Sequence, residues 1–198
     1  MPLSTVIGIM KRRDFLFATR RVAMGALAAT SAPMLLADDW GETMLEEIQN
    51  QWRDFLPEGF EPVSAQDKVE LSKDAWRERL QNPLAFDVLR REATERPFTS
   101  ALNDEKRKGV FLCAGCDLPL FTSAMKYESG TGWPSFFTTI PGAFATKKDF
   151  KLILPRTEYH CARCGGHHGH VFHDGPAPTG QRWCNNGVAL KFLPQNVS

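Results

Sequence analysis

The stretch "GVFLCAGCDLPLF", residues 109–121, decides how this chain is read. Two short apolar runs, 109–113 and 119–121, flank a Cys-x-x-Cys turn. Runs of three to five apolar residues are too brief for helices and carry the signature of strands closed off by turn residues. The same pattern continues downstream as "KLIL", "EYHC", "HVF" and "VALKF", separated by Gly, Pro, Asp and Lys. Together they predict an antiparallel β body. Upstream the period changes. In "ETMLEEIQNQWRDF", Met44, Leu45, Ile48, Trp52 and Phe55 recur at helical spacing. Pro57, Gly59 and Pro62 then break the chain, so this helix reads as an arm ahead of the main domain. "LSKDAWRERLQ" offers Ser72 as an N-cap, and "NPLAFDVLRRE" offers Asn82 as a cap with Pro83 at the first helical position.

"CAGC" at 113–116 and "CARC" at 161–164 are each Cys-x-x-Cys, and two such pairs supply four thiolates for a tetrahedral Zn²⁺. The 44 residues between them exceed the spacing of a short zinc finger, so the pairs would clasp two distant turns of one domain. Two rival readings stand beside this one. Either pair could be a redox dithiol, although neither lies between a strand and a helix of a βαβ unit. Alternatively Cys161, Cys164, His167 and His170 could form a Cys₂His₂ site within ten residues, which would need very tight winding and leave Cys113 and Cys116 idle.

The fifth cysteine has no such partner. In "QRWCNNGVALKF", residues 181–192, Cys184 follows an Arg-Trp pair and precedes two asparagines. On a strand, Arg182, Cys184 and Asn186 would share a face, with Trp183 and Asn185 opposite. A cation beside Cys184 favours the thiolate, the nucleophilic form. "GGHHGHVF" brings His167, His168 and His170 into a glycine-rich run, and imidazole is the side chain best suited to pass a proton near neutral pH. "SGTGWPSF" sets Trp133 in a turn between Gly132 and Pro134, where its indole face can be presented to a ligand.

The chain of 198 residues has a formal charge of +1, with no basic stripe beyond its first twenty-one residues, so no nucleic-acid partner is expected. The N-terminus has a basic start, an apolar small-residue stretch from Val22 to Ala37, and then acids, the layout of an export signal. "KRRDFLF", residues 11–17, resembles the twin-arginine export signature. The apolar stretch is short for a spanning helix, so no stable membrane insertion is expected once the signal is cut. Three regions follow: an export segment at 1–37, a helical arm and linker at 38–62, and the main domain at 63–198. The protein is expected to be exported and periplasmic. A route that carries folded proteins lets a metal–thiolate site close before the thiols meet an oxidising compartment.

Taken together, "RPFTS", "GVFLCAGCDLPLF", "SGTGWPSFF" and "CARCGGHHGHVFHDGPAPTGQRWCNNGVALKF" resemble the methionine-(R)-sulfoxide reductases of the B type over roughly residues 71–193. The resemblance implies a mainly β, tent-like fold of two antiparallel sheets with short N-terminal helices. It also implies structural Zn²⁺ on Cys113, Cys116, Cys161 and Cys164. By position it makes Cys184 the nucleophile, His170 the proton donor to the sulfoxide oxygen with His167 as companion, and Asn186 a polar group near that oxygen. Trp133 would pack the substrate methyl group, and Arg182 would lie beside the nucleophile at the substrate site. The implied substrates are oxidised proteins or free methionine-R-sulfoxide. Thr131 stands where many relatives carry a resolving cysteine, so the sulfenic acid on Cys184 would be reduced by an external thiol such as a thioredoxin-like protein. His168 and His173 also depart from the family pattern, and the stretch 138–151 is shorter and more apolar than usual. Two other functions remain open on the residues alone: a zinc-ribbon-like binding module without catalysis, and a Cys-x-x-Cys thiol–disulfide oxidoreductase.

Overall fold

The computed structural model describes residues 37–150 and 155–195, with side chains from residue 41 onward. The export segment read at 1–37 therefore lies almost wholly outside the described residues, as does the "KLIL" run. Among the described residues, three α-helices precede the sheets: α1 (Ala37–Asn50), α2 (Lys73–Leu80) and α3 (Pro83–Arg91). Both predicted caps form. Ser72 accepts from the Ala75 N–H, and the Asn82 side chain accepts from the Leu84 and Ala85 N–H groups, so each helix start satisfies its own orphan donors. A 3-10 turn at Gln51–Phe55 extends α1, and its Trp52 and Phe55 pack against the core.

Among the described residues, nine strands make two antiparallel sheets. The smaller contains β1 (Gly109–Cys113), β2 (Pro119–Thr122) and β9 (Leu190–Pro194), in the order β2-β1-β9. The larger runs β3 (Lys126–Tyr127), β4 (Ser135–Phe136), β8 (Arg182–Asn185), β7 (His167–Phe172), β6 (Arg156–Cys161) and β5 (Phe144–Asp149). The mainly β fold of two antiparallel sheets expected from the sequence is present. An aromatic column joins the sheets. Phe121 on β2 stacks on Phe136 of β4 at 3.9 Å between ring centroids, and Phe111 on β1 meets the same ring edge-on at 5.0 Å. Phe144, Tyr159 and Trp183 continue the column across the larger sheet at 4.8 and 4.9 Å. Each such contact adds about 0.5–1.5 kcal/mol beyond simple burial, so the sheets are held face to face by the residues that alternate inward.

The strands β6 and β7 do not pair in simple alternation. Tyr159 lies opposite Gly169 and His160 opposite His167, so His168 is an extra residue bulged out of register. A bulge reverses the alternation of side chains on either side of it. As a result His167 and His170, three residues apart, lie on the same face of the sheet, and His168 turns into the core. Its ring is fully buried against Phe144 and near Tyr159.

Candidate active site

The two Cys-x-x-Cys turns meet. Cys113 ends β1 in one sheet and Cys161 ends β6 in the other, so the pairs bridge the two sheets. The nearest sulfurs belong to different pairs: Cys113 Sγ to Cys164 Sγ at 3.7 Å, and Cys116 Sγ to Cys161 Sγ at 3.5 Å. A zinc with four thiolates at 2.3 Å sets its sulfurs about 3.8 Å apart, so the tetrad has the size a zinc ion needs. All four ligand atoms lie within 4.8 Å of one another and all four cysteines are buried. Hydrogen bonding among the sulfurs together with burial pushes the Cys113 thiol up, and a bound cation would offset this by stabilising the thiolates. Knuckle backbones are held from outside by Arg163, whose Nη1 donates to the Cys116 carbonyl, and by Arg90, which donates to the Cys164 carbonyl. The Cys₂His₂ alternative is not what the chain forms. His167 turns to Glu158 and His170 to Asp149, away from Cys161 and Cys164.

Cys184 lies elsewhere. It sits on β8 directly opposite His170 on β7, and opposite Ser135 on β4. Glu158, which faces His170 from β6, is three residues along that strand from Cys161, about 10 Å at 3.3 Å per residue. The lone thiol and the tetrad are thus separate sites. Arg182 and Cys184 share a face of β8 while Trp183 and Asn185 turn into the core, where Trp183 meets Tyr159 and Asn185 accepts from the Tyr159 hydroxyl. Gly169 makes this approach possible, because a Cβ there would come within 1.9 Å of the Cys184 carbonyl oxygen.

A cavity of about 120 Å³ opens over the thiol, lined by Thr94, Trp133, Arg156, His170, Cys184 and Asn186 among others. Four of the predicted site residues, Cys184, His170, Trp133 and Asn186, therefore surround one space. Trp133 is fixed there by its indole N–H, which donates to the Glu95 carbonyl at 3.1 Å. His170 directs Nε2 to Asp149 Oδ2 at 2.9 Å, and Arg156 Nη2 reaches the same oxygen at 2.8 Å. Burial lowers the His170 pKa, and the hydrogen bond to Asp149 opposes that shift. His167 stands one layer behind, its ring 5.5 Å from that of His170, buried and outside the cavity lining.

Two placements differ from the simplest picture. Arg182 is not among the residues that line the cavity. Its guanidinium is clamped by two hydrogen bonds to Asp174, at 2.9 and 2.8 Å, and lies over the Phe172 ring. Burial raises the Cys184 pKa, whereas the Arg182 charge and hydrogen bonds from Arg182 and Thr131 pull it down; the net shift is upward. The expectation that the neighbouring cation favours the thiolate thus describes only the opposing force. Asn186 reaches the cavity wall with both ends of its amide engaged: Oδ1 accepts from the Glu95 N–H and Nδ2 donates to the His168 carbonyl, each at 2.9 Å. It ties the strand bearing Cys184 to its neighbours.

Sequence reasoning did not find Glu95, Asp149 or Arg156. Glu95 is buried, and its carboxylate accepts from the Gly187 and Val188 N–H groups while its carbonyl holds Trp133. A Glu just ahead of Pro97-Phe98, in a stretch otherwise rich in exposed charges, was the one available hint. His173 is exposed.

Fold and site together define a class: a two-sheet domain clasped by a zinc-sized cysteine tetrad, with a single thiol facing an imidazole at a separate pocket. The comparisons place it further. The chain belongs to the SelR domain family, whose model matches residues 81–194. It is 50% identical over 129 residues to the peptide methionine sulfoxide reductase MsrB of Methanosarcina barkeri, covering 65% of this chain and 90% of that protein. It is 48% identical over 128 residues to the protein of the same name from Agrobacterium fabrum, covering 64% and 94% respectively. The chloroplastic peptide methionine sulfoxide reductase B1 of Arabidopsis thaliana matches at 43% over 137 residues, 69% of this chain and 67% of that one.

Proposed function

We propose that this protein is an oxidoreductase that reduces methionine-R-sulfoxide, free or within oxidised proteins, to methionine. The observation that carries this reading is the direct opposition of Cys184 and His170 across β7 and β8, beneath Trp133 in one cavity. A sulfoxide is polar at oxygen and apolar at methyl, so it needs a proton donor on one side and an aromatic face on the other. Trp133 takes the methyl group and His170 meets the oxygen. Cys184 attacks the sulfoxide sulfur as a thiolate. The attack forms an S–S bond as His170 gives a proton to the oxygen. The oxygen then passes to the Cys184 sulfur, the S–S bond and the sulfoxide S–O bond break, and the sulfenic acid keeps the oxygen and the proton. The substrate sulfur gains two electrons and Cys184 loses two. Because the sulfoxide sulfur is chiral, one arrangement of donor and aromatic face accepts one epimer.

His170 works within a buried pair. Its Nε2–H donated to Asp149 fixes the ring and leaves Nδ1 for a second partner, while Arg156 donates to the same Asp149 oxygen and holds the carboxylate in place. His167 supports His170 from behind. Asn186 and Glu95 hold the β8 end and the indole in place, and Arg182 counters the burial of the thiol. Thr131 presents a hydroxyl to Cys184 where a second thiol would be needed for an internal disulfide. With the remaining four cysteines in the tetrad, recycling passes to an external thiol reductant, such as a thioredoxin-like protein. Two reductant thiols become a disulfide, the oxygen leaves as water, and Cys184 returns to its thiol.

The tetrad holds Zn²⁺ as a structural clasp between the sheets, a role supported by its sulfur spacing and by its separation from Cys184. Residues 1–37 act as a twin-arginine export segment, residues 38–62 form an arm and linker, and residues 63–198 form the reductase domain, which works in the periplasm. The support for export is the Arg12-Arg13 motif followed by an apolar stretch and acids. Replacing both arginines with lysine should hold the protein in the cytoplasm. The reaction is tested by turnover of the two separated sulfoxide epimers of a blocked methionine. The R epimer should be consumed and the S epimer left, and Cys184→Ser should abolish turnover with zinc content unchanged. Equal consumption of both epimers, or an active serine variant, rejects the proposal.

A further inference from the structure

Behind the cavity, β6 and β7 gather a second group of side chains. The bulge at His168 sets His167 across from His160, with Glu158 between them. Glu158 Oε1 lies 2.5 Å from His167 Nδ1 and 3.1 Å from His160 Nε2, and the three donor atoms lie within 4.8 Å of one another. The Glu158 and His167 side chains are each only 2% exposed. His160 Nδ1 faces the Gly165 carbonyl at 3.3 Å. A carbonyl only accepts, so in the neutral ring Nδ1 bears the hydrogen and Nε2 offers its lone pair to the carboxylate. Glu158 Oε1, His160 Nε2 and His167 Nδ1 are all buried, and none has a hydrogen-bond partner of proper geometry. The His160 lone pair and the Glu158 carboxylate, 3.1 Å apart, repel unless a cation sits between them.

We infer that Glu158, His160 and His167 form a second metal site, separate from the cysteine tetrad, for a divalent transition cation such as Zn²⁺. Two imidazoles and a carboxylate suit Zn²⁺, Co²⁺, Ni²⁺ or Cu²⁺ and suit Mg²⁺ or Ca²⁺ poorly. Ligand atoms about 2.0–2.1 Å from a tetrahedral zinc lie about 3.3 Å apart, so small side-chain shifts would open the observed gaps to fit. The Gly165 carbonyl orients His160 through its far nitrogen, the usual support of a metal-bound imidazole. A cleft of about 260 Å³, lined by Leu89, Arg90, Glu92, His160, Gly165 and His167, gives an ion a way in and leaves room for water as a fourth ligand. The half-exposed Lys147 spans Glu92 and Glu158, at 2.7 and 3.3 Å, and supplies a positive charge at the carboxylate from the solvent side. A metal would compete with that ammonium. His160 adjoins Cys161 in sequence, but alternation along β6 sends the two side chains to opposite faces.

The test uses whole protein with its tetrad filled by zinc, titrated with Co²⁺. Wild type should bind one cobalt in addition to the zinc, with weak visible bands and no sulfur-to-cobalt charge transfer. His160→Gln should weaken that binding by at least about tenfold with zinc content unchanged, and Lys147→Met should strengthen it severalfold. Absence of cobalt binding beyond the zinc overturns the site. So does equal binding by wild type and His160→Gln, or cobalt that appears only in the tetrad with intense sulfur charge transfer. Should the glutamine variant fail to fold, Lys147→Met decides, and an affinity unchanged from wild type rejects the assignment.

Discussion

Replacing His168 with leucine should stabilise the domain and remove part of its sensitivity to acid. The His168 ring is fully buried, and neither of its nitrogens has a hydrogen-bond partner of good geometry. The nearby Asn185 amide is already committed to Tyr159 and to the Asn186 carbonyl. Burying an unsatisfied polar group costs about 1–3 kcal/mol, and leucine of similar volume against Phe144 carries no such cost. Burial, reinforced by the neighbouring His167, also drops the His168 pKa to about 3 from an ordinary value of 6.5. The sign follows from proton binding. Below pH 6.5 the unfolded chain takes up a proton that the folded ring refuses. Stability from this group is therefore complete above pH 6.5 and is lost as pH falls towards 3. At about 1.4 kcal/mol per unit, the loss between pH 7 and pH 5 is about 2 kcal/mol. Urea unfolding of the zinc-loaded protein at both pH values measures it. His168→Leu should be more stable at pH 7 and should lose about 2 kcal/mol less than wild type on going to pH 5. An equal loss in the two proteins would refute the reasoning, since His167 and the cysteine tetrad respond to acid in both.

Other consequences are more local. Gly169→Ala should abolish activity and lower stability by several kcal/mol, because the added Cβ would strike the Cys184 carbonyl oxygen; thermal unfolding and turnover read it together. Alkylation of Cys184 by iodoacetamide should show a midpoint above the ordinary thiol pKa, because burial outweighs Arg182 and Thr131. Arg182→Met should move that midpoint higher still, and a fall would contradict the assigned balance. Cys116→Ser should cost the bound zinc and most of the folded population, since structural zinc contributes about 10–16 kcal/mol in zinc-finger peptides; metal analysis with circular dichroism checks both.

The parts of this molecule readable in advance are those whose chemistry is local. Ser72 and Asn82 cap helices within three residues of themselves. The Cys-x-x-Cys turns carry their own spacing, and Cys184 stood out by lacking a partner. Strand alternation also placed Arg182 and Cys184 on one face and Trp183 on the other. What escaped depends on distance along the chain or on register. Glu95 meets Asn186 and Gly187 across more than ninety residues, and Asp149 meets His170 from an edge strand whose "FATKKD" sequence has no apolar alternation. The bulge at His168 defeats counting by twos, which would have paired His168 with His170 and put His167 opposite. The upward pKa shift at Cys184 was equally hidden. A sequence shows the cation next to a thiol, but not the Asp174 that occupies the cation or the burial that opposes it.

The division of labour between one reactive sulfur and four structural ones is tested most directly by a single turnover without reductant. Zinc-loaded protein is given one equivalent of methionine-R-sulfoxide, trapped with dimedone and mapped by peptide mass spectrometry. One dimedone adduct is expected, on Cys184, with full zinc retained. A disulfide joining Cys184 to any tetrad cysteine, or an adduct on the tetrad with zinc released, would contradict it.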